Sequence, residues 1–147
     1  MGYGAVEQSG QNLKALRYGC IETTPAMTFT ERLLVLYDSL QEQLDIIRPD
    51  FVSIERLFFG KNVKTAEYVY QARGAVMLLI AQRSLYAVEL TPTSIKRSVC
   101  GDTKAGKHQI QAAVREILSL EEIPRPDDTA DALAAAVAGL SLYSEGG

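Results

Sequence analysis

Phe51-Val52-Ser53-Ile54-Glu55-Arg56-Leu57-Phe58-Phe59-Gly60-Lys61-Asn62 is the stretch on which the reading of this chain turns. It opens just after Pro49-Asp50, and its first residues are mostly apolar and β-prone, which predicts a short strand over 51–55. Glu55 ends that strand. In open α/β sheets ligands bind beyond the carboxyl ends of the strands, so a lone acid there is a candidate functional group. Phe58 and Phe59 follow in a loop flanked by Arg56, Lys61 and Lys64. Such a pair is either a plug for the core or a platform on which unpaired bases stack among cations.

Working outward, Thr28-Phe29-Thr30-Glu31 has the form of a capping box. Leu33, Leu36, Tyr37, Leu40, Leu44 and Ile47 then recur at three- and four-residue intervals, predicting an amphipathic helix that stops before Pro49. On the other side, a second long helix is expected over 63–82 and a strand over 85–90. Thr91-Pro92 opens a short helix through Val99. Gly101 to Gly106 is a polar loop, and helices follow at about 107–119 and 128–142. Before the first helix, 3–6 and 13–22 are alternating runs joined by the turn-rich Ser9-Gly10-Gln11-Asn12, which predicts an antiparallel hairpin. The order of elements describes one domain of α/β class over 1–147, a layered sheet with the hairpin at one edge.

Bulk properties narrow the function. The chain has 147 residues, enough for one buried core, and the longest apolar run, Ala75 to Ala81, is far short of the ~18–20 residues of a membrane span. No apolar leader segment is visible in the first thirty residues, and Cys20 and Cys100 are too few for a disulfide framework or a zinc site. A cytoplasmic location with no membrane partner is the expectation. The formal charge of −3 argues against nucleic acid only until it is divided. Residues 1–55 hold four basic and eight acidic side chains, 56–107 nine and three, and 108–147 two and seven. The middle third is strongly basic, which suits a backbone-binding face.

Asp128 and Asp131, three apart at the start of the last helix, share one face, and Asp127 and Asp131 form an equally good same-face pair. One reading is capping, with Asp127 or Asp128 as N-cap and Asp131 as a first-turn acid. The other is a carboxylate cage for Mg²⁺, which takes hard oxygen ligands and phosphate oxygens. Gly101-Asp102-Thr103-Lys104-Ala105-Gly106-Lys107 has the spacing of a phosphate-binding loop. His108 replaces the hydroxyl residue such a loop needs and a helix, not a strand, precedes it, so a solvated basic loop is the better reading. His108 is the one histidine and has no obvious nucleophile beside it.

The stretch Ile54 to Asn62 resembles the second catalytic motif of the RuvC family of bacterial Holliday-junction resolvases. The similarity continues through Gln71-Ala72-Arg73-Gly74, Thr93 to Val99, Ala105-Gly106-Lys107 and Asp128-Thr129-Ala130-Asp131-Ala132-Leu133-Ala134. Gly2-Tyr3-Gly4 looks like the tail of the family's opening motif. The resemblance implies an RNase H-like mixed sheet flanked by helices and a homodimer that resolves four-way DNA junctions by paired, Mg²⁺-dependent nicks in recombination and repair. It implies two Mg²⁺ ions per active site, with Glu55, Asp128 and Asp131 as three of the four acidic ligands. Phe58 matches the aromatic that stacks on a base, and Lys96 and Lys107 match the basic residues that contact the DNA backbone. Arg73 lies in a matched motif and reads as structural or backbone-contacting. RuvA and RuvB, the family's branch-migration proteins, are the implied partners. The family's first strand carries Gly-Ile-Asp-Pro-Gly, and Met1 stands after the point where it would fall, so the expectation is a domain whose first, central strand is missing. That leaves an alternative: an inactive remnant that binds junctions or dimerises without cutting.

Overall fold

The computed structural model describes the backbone of residues 1–56 and 63–146 and the side chains of residues 1–56 and 66–143. Strands β1 (Gly2–Ser9) and β2 (Asn12–Cys20) form the expected hairpin. Its turn is tighter than the sequence suggested, because Gly10 adopts φ +63° and lets the chain reverse within two residues. The register shifts once, between Ala5 and Val6.

Helix α1 (Phe29–Ile47) begins on the predicted capping box. The Glu31 amide donates to Thr28 Oγ1 at 3.2 Å, and the Thr28 amide donates to Glu31 Oε2 at 2.7 Å. It ends where Arg48 turns left-handed and donates its N–H to the Leu44 carbonyl at 2.9 Å, one residue before Pro49. Its neighbour in space is α2 (Val63–Gln82). Only Leu36 of its apolar face is fully buried; Leu33, Tyr37, Leu40, Leu44 and Ile47 are half-covered.

Strands β3 (Phe51–Glu55) and β4 (Tyr86–Leu90) pair in parallel, Phe51 opposite Tyr86 and Glu55 opposite Leu90, with α2 as the crossover. Helices α3 (Pro92–Cys100), α4 (Lys107–Ile117) and α5 (Asp127–Gly146) complete the fold. The last is longer than expected. The core lies among β4 and these three helices, from Val88, Leu90, Ile95, Val99, Val114, Leu118, Leu133, Ala134, Val137 and Ala138.

Helix α5 touches all four strands. Two glycine sites make that approach possible. A Cβ on Gly2 would stand 2.1 Å from the Asp128 carbonyl oxygen, and one on Gly4 would stand 2.7 Å from Leu133 Cδ2. Farther along, a Cβ on Gly139 would meet the Ser53 hydroxyl, so the helix itself is thinned where β3 passes.

The sheet is in two parts, the arrangement expected of a domain whose central strand is missing. Among the described residues β1 bonds only to β2, and β3 only to β4, which gives two two-stranded sheets hung on one helix.

Candidate active site

Glu55 is the last residue of β3, and the ladder extends one step past it: the Arg56 amide donates to the Leu90 carbonyl at 2.6 Å. Arg56 Nε also reaches Glu89 at 3.4 Å, and Arg73 Nη2 donates to the same carboxylate at 3.0 Å. Glu89 on β4 thus ties α2 and the residue after Glu55 to one point. Arg73, which the sequence left without a partner, is the inner member, with Nη1 buried and without a hydrogen-bond partner among the described residues.

Asp131 sits one turn into α5, and its electrostatics couple it to Glu55. Burial pushes the Glu55 carboxyl above its ordinary value, and the Asp131 charge adds to the rise while Lys96 on α3 opposes it. Burial likewise raises Asp131; the Lys107 cation opposes that, and Asp128 and Asp127 reinforce it. Two acids brought from β3 and α5, 76 positions apart in sequence, therefore share one site with two lysines beside it.

Asp127 is occupied. Its Oδ2 lies 2.5 Å from Lys107 Nζ, and its Oδ1 accepts from Gln111 Nε2 at 3.0 Å. The Lys107 cation holds the Asp127 carboxyl below its usual range. Asp128 is exposed, with no such partner among the described hydrogen bonds and ion pairs. Of the two same-face pairs open at the sequence level, the Asp128–Asp131 pair has its first carboxylate available. The capping reading is corrected: the described bonds of Asp127 go to α4 rather than to amides of its own helix, and the Thr129 amide is taken by the Pro126 carbonyl at 2.9 Å.

Loop 101–106 bears out the basic-loop reading. Gly101 closes α3 with φ +71°, Asp102 Oδ1 accepts the Lys104 amide at 2.9 Å, and only Ala105 is buried. His108 is exposed on α4. Phe58 and Phe59 lie outside the described residues.

The donor set fits a hard divalent cation. Burial raises both carboxyls despite a lysine acting on each, so both sites favour added positive charge, and Asp128 supplies a further oxygen donor one turn before Asp131. Among the described residues, however, no three acidic, cysteine or histidine side chains stand close enough to form a finished metal cage. Gln111 and Glu89 were not singled out by sequence reasoning, and Asp127 was weighed there as a cap or a ligand, not as the partner of Lys107. Lys107 and Gln111 are four apart on one helix, which is the only local signal that they act together.

Solved structures with this architecture set its class. The chain matches T. thermophilus RuvC in complex with Holliday junction substrate with a TM-score of 0.92 at 29% identity, over 99% of this chain and 88% of that one. It matches the Thermus thermophilus RuvC structure with a TM-score of 0.86 at 31% identity, over the same shares. The fold is the RNase H-like α/β fold of those nucleases, and the Glu55–Asp131 pair stands at the carboxyl end of its parallel strands. The family model for crossover junction endodeoxyribonuclease RuvC matches residues 1–139. Among relatives, the crossover junction endodeoxyribonuclease RuvC of Ruminiclostridium cellulolyticum is 46% identical over 92% of this chain and 82% of its own length. That of Pelotomaculum thermopropionicum is 44% identical over 97% and 87%. The chain belongs to the RuvC family of crossover junction endodeoxyribonucleases. These likenesses lend no support to the alternative of an inactive remnant.

Proposed function

We propose that this chain is a structure-specific DNA endonuclease that resolves four-way junctions by paired cuts in recombination and repair. Glu55, Asp128 and Asp131 are its catalytic carboxylates and hold Mg²⁺, two ions per site; Lys96, Lys107 and Phe58 contact the DNA. The observation that carries this reading is the charge of Asp131 acting on the partly buried Glu55 carboxyl at the end of β3, with Lys96 acting on Glu55 and Lys107 on Asp131. Held by these carboxylates, Mg²⁺ would supply Lewis-acid chemistry, activating water and offsetting charge on the leaving oxygen. The residues of the chain do the rest. Lys96 and Lys107 hold backbone phosphates against the acids, and Phe58 stacks on an unpaired base to fix the junction's register.

A four-way junction has near two-fold symmetry, so paired cuts call for two copies of the chain. We infer that the second copy packs along α2, where Leu78 is 56% exposed and Gly74 leaves an open shelf a turn away. RuvA and RuvB are the branch-migration partners that go with this reading, and two free thiols, Cys20 and Cys100, suit a reducing cytoplasm. One nuclease domain completed by a strand between β1 and β3 follows as well, since among the described residues each of these is paired along one edge only.

The test is a synthetic four-way junction with MgCl₂. Symmetric paired nicks are expected, and Asp131→Asn should slow them by about 100-fold or more while binding persists. Unchanged nicking by that variant removes Asp131 from the site; binding without nicking by the parent chain sinks the endonuclease reading.

A further inference from the structure

We infer that Asp127 is a positioning residue that clamps the Lys107 ammonium beside the Glu55–Asp131 site. The inference rests on the reading of Lys107 as a phosphate contact and assigns the group that aims it.

The geometry is a two-sided grip. Lys107 and Gln111 stand one turn apart on the same face of α4, and both reach Asp127, the first residue of α5. Lys107 Nζ meets Oδ2 at 2.5 Å, and Gln111 Nε2 donates to Oδ1 at 3.0 Å. Gln111 is one of two buried polar residues described, only 7% exposed, so its amide is fixed by packing and in turn fixes the carboxylate. The Lys107 side chain is 55% exposed. A half-exposed lysine on its four-carbon stem otherwise samples many rotamers. Held at Oδ2, its head is kept on the side of α5 that carries Asp131 one turn further on.

Two opposing effects follow. The clamp pre-orders the cation, which favours the bound junction reaching the geometry for cutting. The same carboxylate also competes with the phosphate for the ammonium, which weakens ground-state binding. A merely structural role for Asp127 produces neither the split nor its direction.

The experiment uses the full chain and Asp127→Asn, whose amide oxygen keeps the Gln111 bond while losing the charge. Junction affinity is expected to be unchanged or severalfold tighter, while the single-turnover nicking rate with Mg²⁺ falls about tenfold or more. In a Lys107→Ala background the same change should have no further effect, since the clamp then has nothing to hold. Asp127→Glu should restore part of the rate. A fall that persists in full in the Lys107→Ala background, or tighter binding with an unchanged rate, overturns the inference. An independent readout needs no activity: limited amine acetylation of the DNA-free protein, followed by mass spectrometry. Lys107 should be labelled more slowly than the exposed Lys14 in the parent and faster in Asp127→Asn, with Lys14 unchanged as the control for folding. Equal Lys107 labelling in both proteins overturns the clamp. A parent chain that protects Lys107 but never nicks a junction leaves the clamp standing and removes the proposed function instead.

Discussion

At the scale of single residues, Glu55 and Asp131 carry opposite consequences for stability and for function. Burial and neighbouring acids raise both carboxyls above their ordinary values. A carboxyl that binds its proton more tightly in the folded chain than in the unfolded one lowers stability as pH rises from the unfolded value through the folded one. The metal-free protein is therefore expected to lose stability from these two groups on going from acid to neutral pH. Asp131→Asn removes one of the charges. In EDTA at neutral pH the variant should melt above the parent, and the gap should close as the pH is brought below the ordinary carboxylate range. MgCl₂ should then raise the melting temperature of the parent more than that of the variant, because a cation that binds only the folded site stabilises by mass action. A variant that melts lower than the parent in EDTA would contradict the charge-repulsion account. Asp127 belongs to the other kind of acid: its charge is satisfied by Lys107 and Gln111, and nothing in it calls for a cation.

At the scale of elements, the close approach of α5 to the hairpin is the most fragile contact. A methyl group on Gly2 would have to displace the Asp128 carbonyl, a backbone atom that cannot swing aside. Gly2→Ala is expected to cost about 1–3 kcal/mol in denaturant unfolding and to depress junction cutting as well, since the displaced peptide belongs to a proposed ligand. Parent-like unfolding would show that β1 yields instead. Much at this scale was readable beforehand, and the reason is locality. The Thr28–Glu31 box, the stop before Pro49 and the Thr91-Pro92 helix start each depend on neighbours within four residues, and each appears as expected. What the sequence hid is non-local. No periodicity places Arg73 and Arg56 on Glu89, or Lys107 on Asp127 twenty positions away. The Glu55–Asp131 pairing was legible only through motif resemblance, because their separation carries no spacing signal. Phe58 falls outside the described residues, so its stacking role stays with the proposal.

At the scale of the whole molecule, charge is segregated along the chain. The basic middle third supplies Lys96, Lys107 and the 101–106 loop, while the flanking thirds supply the carboxylates. A face that binds through phosphates releases counterions, so junction affinity should fall at least about tenfold between about 50 and 200 mM salt. Lys96→Ala should reduce the slope of log affinity against log salt by about one without changing which junctions are preferred. A flat salt response would mean that the net acidity, and not its distribution, governs binding. The two-part sheet has a consequence for how the molecule is made. Among the described residues the main packing that joins the hairpin to the parallel pair runs through α5, which follows every other element in sequence. During synthesis at about 5–20 residues per second, the hairpin and α1 can form on the emerging chain by local contacts. The two halves have no common interior until α5 clears the ribosome, and that helix delivers the core leucine Leu133 and the acids Asp128 and Asp131 together. A nascent or truncated chain is therefore left without both its nuclease chemistry and its cohesion, so an active fragment lacking the last helix cannot arise as a folding by-product.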